Sequence, residues 1–87
     1  MRYALYISDD VNRKFSKLAK KDKKQLEIIN KKINQIRENP SHFKPLRGDM
    51  KGARRVHISK SFVLTYEIDE KNKAVRLLDY EHHDKIY

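Results

Sequence analysis

Apolar and polar positions change period twice along this chain. Tyr3, Leu5 and Ile7 alternate with Arg2, Ala4 and Tyr6, which predicts a first strand with one apolar face. Val11, Phe15, Leu18 and Ala19 then recur at helical spacing. Ser8-Asp9-Asp10 ahead of them offers an N-cap and an acidic first turn, so a helix is expected from Asp9 to Lys20. Asp22 can cap a second helix, whose stripe is Leu26, Ile29, Ile33 and Ile36. Asn39-Pro40 ends it, because the residue before a proline avoids the helical region. Short helices with one stripe each, joined by a tight turn, predict a helical hairpin packed on a sheet.

From Ser41 to Gly52 the chain reads as a loop, and the period then becomes two. Val56 and Ile58 alternate with Arg55, His57 and Ser59, while Phe62, Leu64, Tyr66 and Ile68 alternate with Val63, Thr65, Glu67 and Asp69. Asp69 to Lys73 predicts a hairpin turn, with a last strand from Ala74 to Tyr80 and a mostly polar tail from Glu81 to Tyr87. The order β-α-α-β-β-β is that of an α+β domain: a mainly antiparallel four-stranded sheet with the helical hairpin on one face. No repeat or composition break divides the 87 residues, so residues 1–87 are expected to form a single domain.

Composition narrows the class. A domain this small removes only about 60–65% of its unfolded surface from water, so its own stability will be modest. The chain has no cysteine, which excludes a disulfide framework and a thiolate zinc site. It has no apolar run near the roughly 20 residues that span a bilayer, and its start is too short and mixed for a signal peptide. A cytoplasmic location away from membranes is the expectation. Twenty-one Lys and Arg against 12 Asp and Glu give a formal net charge of +9, a field that favours polyanions.

Much of that charge lies on the helices, interleaved with acids as a solvated surface would be. The stretch from Lys44 to Lys60 differs: it holds Lys44, Arg47, Lys51, Arg54, Arg55 and Lys60 against one acid, Asp49. His57 lies within it between Val56 and Ile58, so its imidazole should point away from the core on a face shared with Arg55 and Ser59. His82-His83-Asp84 follows the last strand, and Tyr87 is the final residue. If the last strand joins the meander, that tail can approach His57. RNA cleavage without a metal needs a base for the 2′-hydroxyl, an acid for the leaving 5′-oxygen and cations for the phosphorane charge. Histidine suits either proton role, arginine and lysine the charge role, and aromatic rings can stack on splayed bases. Arg55, His57, His83 and Tyr87 with Lys44 or Arg47 would supply all of these. A metal is not expected, since adjacent His82 and His83 cannot easily face one ion in an extended strand, and no cofactor is expected either. His42, after the helix-ending proline, reads as an ordinary loop residue.

The run from Lys44 to His57, Lys-Pro-Leu-Arg-Gly-Asp-Met-Lys-Gly-Ala-Arg-Arg-Val-His, resembles the loop-to-strand signature of RelE/ParE-superfamily toxins, with the YafQ-like branch nearest. Phe62 to Ile68 is similar to that family's following strand, and Leu77 to Tyr87 to its C-terminal strand and tail. The resemblance covers nearly the whole chain and implies a RelE-like toxin of a type II toxin–antitoxin system. The implied activity is a ribosome-dependent, metal-independent endoribonuclease that cuts messenger RNA in the decoding site. Attack by the 2′-oxygen would leave a 2′,3′-cyclic phosphate and a free 5′-hydroxyl.

Carried over by position, His57 falls on the strand histidine of the YafQ branch and His83 on its C-terminal catalytic histidine. Arg55 and His57 occupy positions that are lysines in RelE, and Tyr87 falls on its C-terminal tyrosine. The implied catalytic set is His57, His83, Tyr87, Arg55 and Lys44. Arg47, Lys51, Arg54, Lys60 and His82 are expected to bind RNA. Which histidine is acid and which base stays open. Lys44 stands where the YafQ branch has another histidine and Ser61 where it has an aspartate; Val63 and Glu81 replace arginines of RelE. The implied partners are a RelB-like antitoxin, messenger RNA on the ribosome, and operator DNA through the antitoxin complex alone. Two other readings remain: a ParE-like toxin that inhibits DNA gyrase by binding, and a plain nucleic-acid-binding domain.

Overall fold

The computed structural model describes residues 2–43 and 53–82. In chain order these form strand β1 (Ala4–Ile7), helices α1 (Asp9–Lys21) and α2 (Lys23–Glu38), a 3-10 turn (Pro40–His42), and strands β2 (Ala53–Ile58), β3 (Phe62–Asp69) and β4 (Ala74–His82). Sequence dictates the helix ends. The Ser8 hydroxyl accepts from the Val11 amide at 3.2 Å, satisfying one of the orphan donors at the start of α1. Asp9 and Asp10 then lie in the first turn and Lys20 and Lys21 in the last, each complementing the helix dipole. Asp22 serves both helices: its backbone N–H donates to the Leu18 carbonyl at 2.8 Å, and its carboxylate accepts from the Gln25 amide at 3.1 Å. Asn39 lies outside the helical region (φ −149°, ψ 79°), as the proline after it favours, and stops α2.

The sheet order is β1-β4-β3-β2. β2, β3 and β4 form an antiparallel meander, and β1 joins the far side of β4 in parallel, with Ala4 opposite Ala74 and Ile7 opposite Leu77. That parallel pairing requires the long connection through the helices, which thereby cover one face of the sheet. Val11 and Phe15 from α1 and Ile29, Ile33 and Ile36 from α2 pack with Val56, Ile58, Leu64, Tyr66, Val75, Leu77 and Tyr80. The Tyr66 hydroxyl, fully buried, donates to the Pro40 carbonyl at 2.6 Å and fastens the turn after α2 to the middle of the sheet.

Two details depart from the sequence pattern. The apolar face expected of β1 is buried only in part: Tyr3 and Leu5 pack against the core, yet Ile7 keeps 38% of its surface exposed. β1 is a four-residue edge strand, and the helical hairpin packs elsewhere, α1 against β4 and α2 against β2. The second is a β-bulge in β4: Thr65 faces Asp79 but Tyr66 faces Leu77, so Leu78 is an extra residue. The bulge puts Leu77 and Tyr80, three apart, on the same buried face, and turns Asp79 and Glu81 to the other.

Candidate functional site

Burying Val56 and Ile58 forces their neighbours on β2 outward, because successive side chains of a strand point to opposite faces. Arg55 and His57 therefore stand side by side on the face away from the helices, the arginine half-buried and the histidine exposed. Strand register extends each into a row across the sheet: Arg55, Thr65, Asp79 and His57, Val63, Glu81. Val63 and Thr65 are buried between the ends of these rows. A phosphate above the rows would meet one guanidinium and one imidazole on β2, with two carboxylates roughly 10 Å away on β4, two strand spacings distant.

Those carboxylates do not point freely at the sheet. β1 ends opposite Leu77, and beyond it the outer edge of β4 is met by α1. The Lys14 ammonium reaches that edge, donating to the Tyr80 carbonyl at 2.9 Å, to Asp79 at 3.4 Å and to Glu81, while also pairing with Asp10 at 3.2 Å. The Tyr80 N–H is met by the Asp79 carboxylate at 2.9 Å. Burial works against the charge on Lys14, but the hydrogen bonds to Glu81 and Asp10 and the nearby charge of Asp79 outweigh it. They hold the ammonium well above the ordinary lysine range.

Other expected site residues fall elsewhere. Arg54 shares the helix-side face with Tyr66, its register partner, and donates to the Phe43 carbonyl at 2.6 Å, so it holds the chain leaving the Pro40 turn. Ser59 does not share the face of His57. It leaves the strand with a positive φ of 56°, and its hydroxyl donates to the Gln25 side chain of α2 at 2.9 Å. Lys60 is exposed in the same turn. His82 pairs with Phe62 and packs edge-on to its ring at 5.3 Å, on the helix side of the sheet and opposite in sense to His57. There it lines a hollow of about 230 Å³ with Lys14, Lys17, Lys21, Phe62 and Tyr80. Lys44, Arg47, Lys51, His83 and Tyr87 lie outside the described residues. Of the departures from the family pattern, Val63 is buried beside His57, Glu81 is held by Lys14, and Ser61 sits in the β2–β3 turn.

The arrangement pairs a proton-exchanging group with a fixed cation on one sheet face, which suits work on a phosphodiester. Among the described residues no group of three or more metal-ligating side chains comes together, and no helix is long and apolar enough to cross a membrane. Sequence reasoning missed the part played by Lys14. Helical spacing marks it only as one more polar position between Val11 and Phe15, and nothing local shows that it reaches β4.

Comparison with known proteins bears on this geometry. Residues 5–87 match the model of a family described as ParE-like toxin of type II bacterial toxin-antitoxin system. A protein of Methanocaldococcus jannaschii provisionally designated toxin RelE4 is 46% identical over 85 residues, which cover 98% of this chain and 90% of that one. An arginine-to-alanine double mutant of the Escherichia coli toxin RelE, solved in the free state, superposes with a TM-score of 0.81 at 21% identity over 98% of this chain and 87% of its own. The Escherichia coli DinJ–YafQ toxin–antitoxin complex provides a chain with a TM-score of 0.76 at 22% identity, covering 100% of this chain and 99% of that one. At these identities the two solved structures share the fold.

Proposed function

Because the chain belongs to the ParE-like toxin family of type II toxin–antitoxin systems, we propose that it acts as a metal-independent endoribonuclease, cutting messenger RNA on the ribosome within the cytoplasm. The observation that carries this reading is the pairing of exposed His57 with Arg55 on the sheet face away from the helices, in a chain of net charge +9. Arg55 steadies the phosphate. His57 and a group from the tail, His83 or Tyr87, take the two proton roles, and Lys44 adds positive charge. The RNA 2′-oxygen attacks the adjacent phosphorus as its proton passes to the base. The bond from phosphorus to the 5′-oxygen breaks as that oxygen takes a proton from the acid. The products are a 2′,3′-cyclic phosphate and a 5′-hydroxyl.

In this reading Arg47, Lys51 and Lys60 follow the RNA backbone. His82 meets RNA only at the edge of the sheet, since its ring lies on the helix side. Arg54 contributes by holding the Phe43 carbonyl. The partner that silences the toxin is an antitoxin of RelB type, acidic enough to complement the basic surface.

The test is brief induction in cells with mapping of transcript 5′-ends. Cuts within translated codons are expected, carrying 5′-hydroxyls. They should fall by about 10²–10⁴-fold in His57→Ala and His83→Ala, the range for loss of a general acid or base. Arrested replication with intact transcripts would instead identify a gyrase-directed toxin.

A further inference from the structure

The cleavage reading leaves Lys14 without a task, although it is the most heavily engaged cation among the described side chains. It sits on α1, yet it binds the outer edge of β4 through Asp79, the Tyr80 carbonyl and Glu81. The register explains why this matters. Asp79 lies in the row of Arg55, and Glu81 in the row of His57, so both carboxylates emerge on the face that carries the cation and the imidazole. An RNA-cutting surface is poorly served by two such acids: each repels the incoming phosphate and competes for Arg55. Among the described residues no strand pairs with the edge of β4 beyond Leu77, which lets both acids bend around the edge to Lys14.

We propose that Lys14 is a positioning residue of the cleavage site, drawing Asp79 and Glu81 around the edge of β4 and offsetting their charge so that the face bearing Arg55 and His57 accepts an RNA phosphate. The inference rests on the ribonuclease reading. Its specific content is that Lys14 acts through these two acids, without touching RNA. Simple loss of a helix-to-strand tie predicts something different, because that tie also includes the Tyr80 carbonyl and would not return when the acids are removed.

The experiment uses the full-length protein, produced with its antitoxin and separated from it, on ribosomes programmed with a defined message. Lys14→Met should raise the KM for programmed ribosomes about two- to fourfold with little change in kcat, the size expected for one to two unit charges roughly 10 Å from a phosphate in a solvent-rich setting. Lys14→Arg should restore most of the loss. Lys14→Met combined with Asp79→Asn and Glu81→Gln should also restore KM, although its tie to β4 is still absent. Circular dichroism and thermal melting establish that each variant is folded.

A triple variant as impaired as Lys14→Met overturns the proposal, as does a defect confined to kcat. Unimpaired cleavage by Lys14→Met overturns it too. The ribonuclease reading fails separately, if wild type leaves the message intact or His57→Ala cuts as well as wild type.

Discussion

Replacing Tyr66 by Phe removes one oxygen from the centre of the molecule and should be costly in a way that depends on pH. The Tyr66 ring is fully buried and packs edge-on against Phe43 at 6.4 Å and 88°, a contact the variant keeps. What it loses is the hydroxyl that donates to the Pro40 carbonyl at 2.6 Å. A buried acceptor left without its donor costs about 1–3 kcal/mol. For a domain of this size each kcal/mol corresponds to roughly 4–8 °C in Tm.

Burial also pushes the Tyr66 phenol up to about 12, only partly opposed by the nearby Arg54 charge. In the unfolded chain a tyrosine titrates near 10, so the unfolded state releases this proton first as pH rises. The stabilisation is complete below about pH 10 and is lost by about pH 12, a change of roughly 2–3 kcal/mol at most. Phenylalanine has no such proton. Urea unfolding of both proteins from pH 8 to 12 should therefore show wild type ahead by about 1–3 kcal/mol at pH 8. The lead should shrink or reverse toward pH 12, while the other tyrosines and the lysines titrate in both proteins and cancel. Equal stability at pH 8, or a gap that stays constant to pH 12, would refute the reasoning.

Two further perturbations test the local physics. Asp22→Ala removes the side-chain cap of α2 at Gln25 and should cost about 1 kcal/mol, read as a fall in Tm of roughly 4–8 °C. Lys73 ends the β3–β4 turn in the left-handed region with φ 50°, where a side chain is strained. Lys73→Gly should raise stability by up to about 1 kcal/mol in the same melts, and a lower Tm would show that the exposed pairing with Glu70 outweighs that strain.

Local chemistry made the element boundaries readable. Ser8, Asp22 and Asn39-Pro40 are capping and stopping signals that act within a turn of the residues they govern, and the helices begin and end beside them. The alternation of Val56 and Ile58 with Arg55 and His57 likewise predicts which side of β2 each residue occupies, since only one phase buries the aliphatic pair. Longer-range features left weaker traces. That β1 pairs in parallel with β4, and leaves Ile7 partly exposed, depends on where the helices finally rest. The Leu77-Leu78 doublet does break the two-residue period, but a doublet alone does not distinguish a bulge from a strand buried on both faces. The reach of Lys14 to β4 joins residues 65 or more apart in sequence and follows only from the assembled edge. Of the candidate site, the pairing of Arg55 with His57 was legible. The sides taken by Ser59 and His82 depended on a turn and a bulge.

The spare residue at position 78 also constrains how this protein can change. Taken into the ladder as an ordinary paired residue, it would shift the phase of everything downstream by one place, lodging the acids of positions 79 and 81 among the oily side chains and throwing the Tyr80 ring outside. Exchange of one side chain for another there is a local matter. Loss of its codon would instead straighten β4 into an unbroken ladder and leave Asp79, Tyr80 and Glu81 on the sides they already occupy.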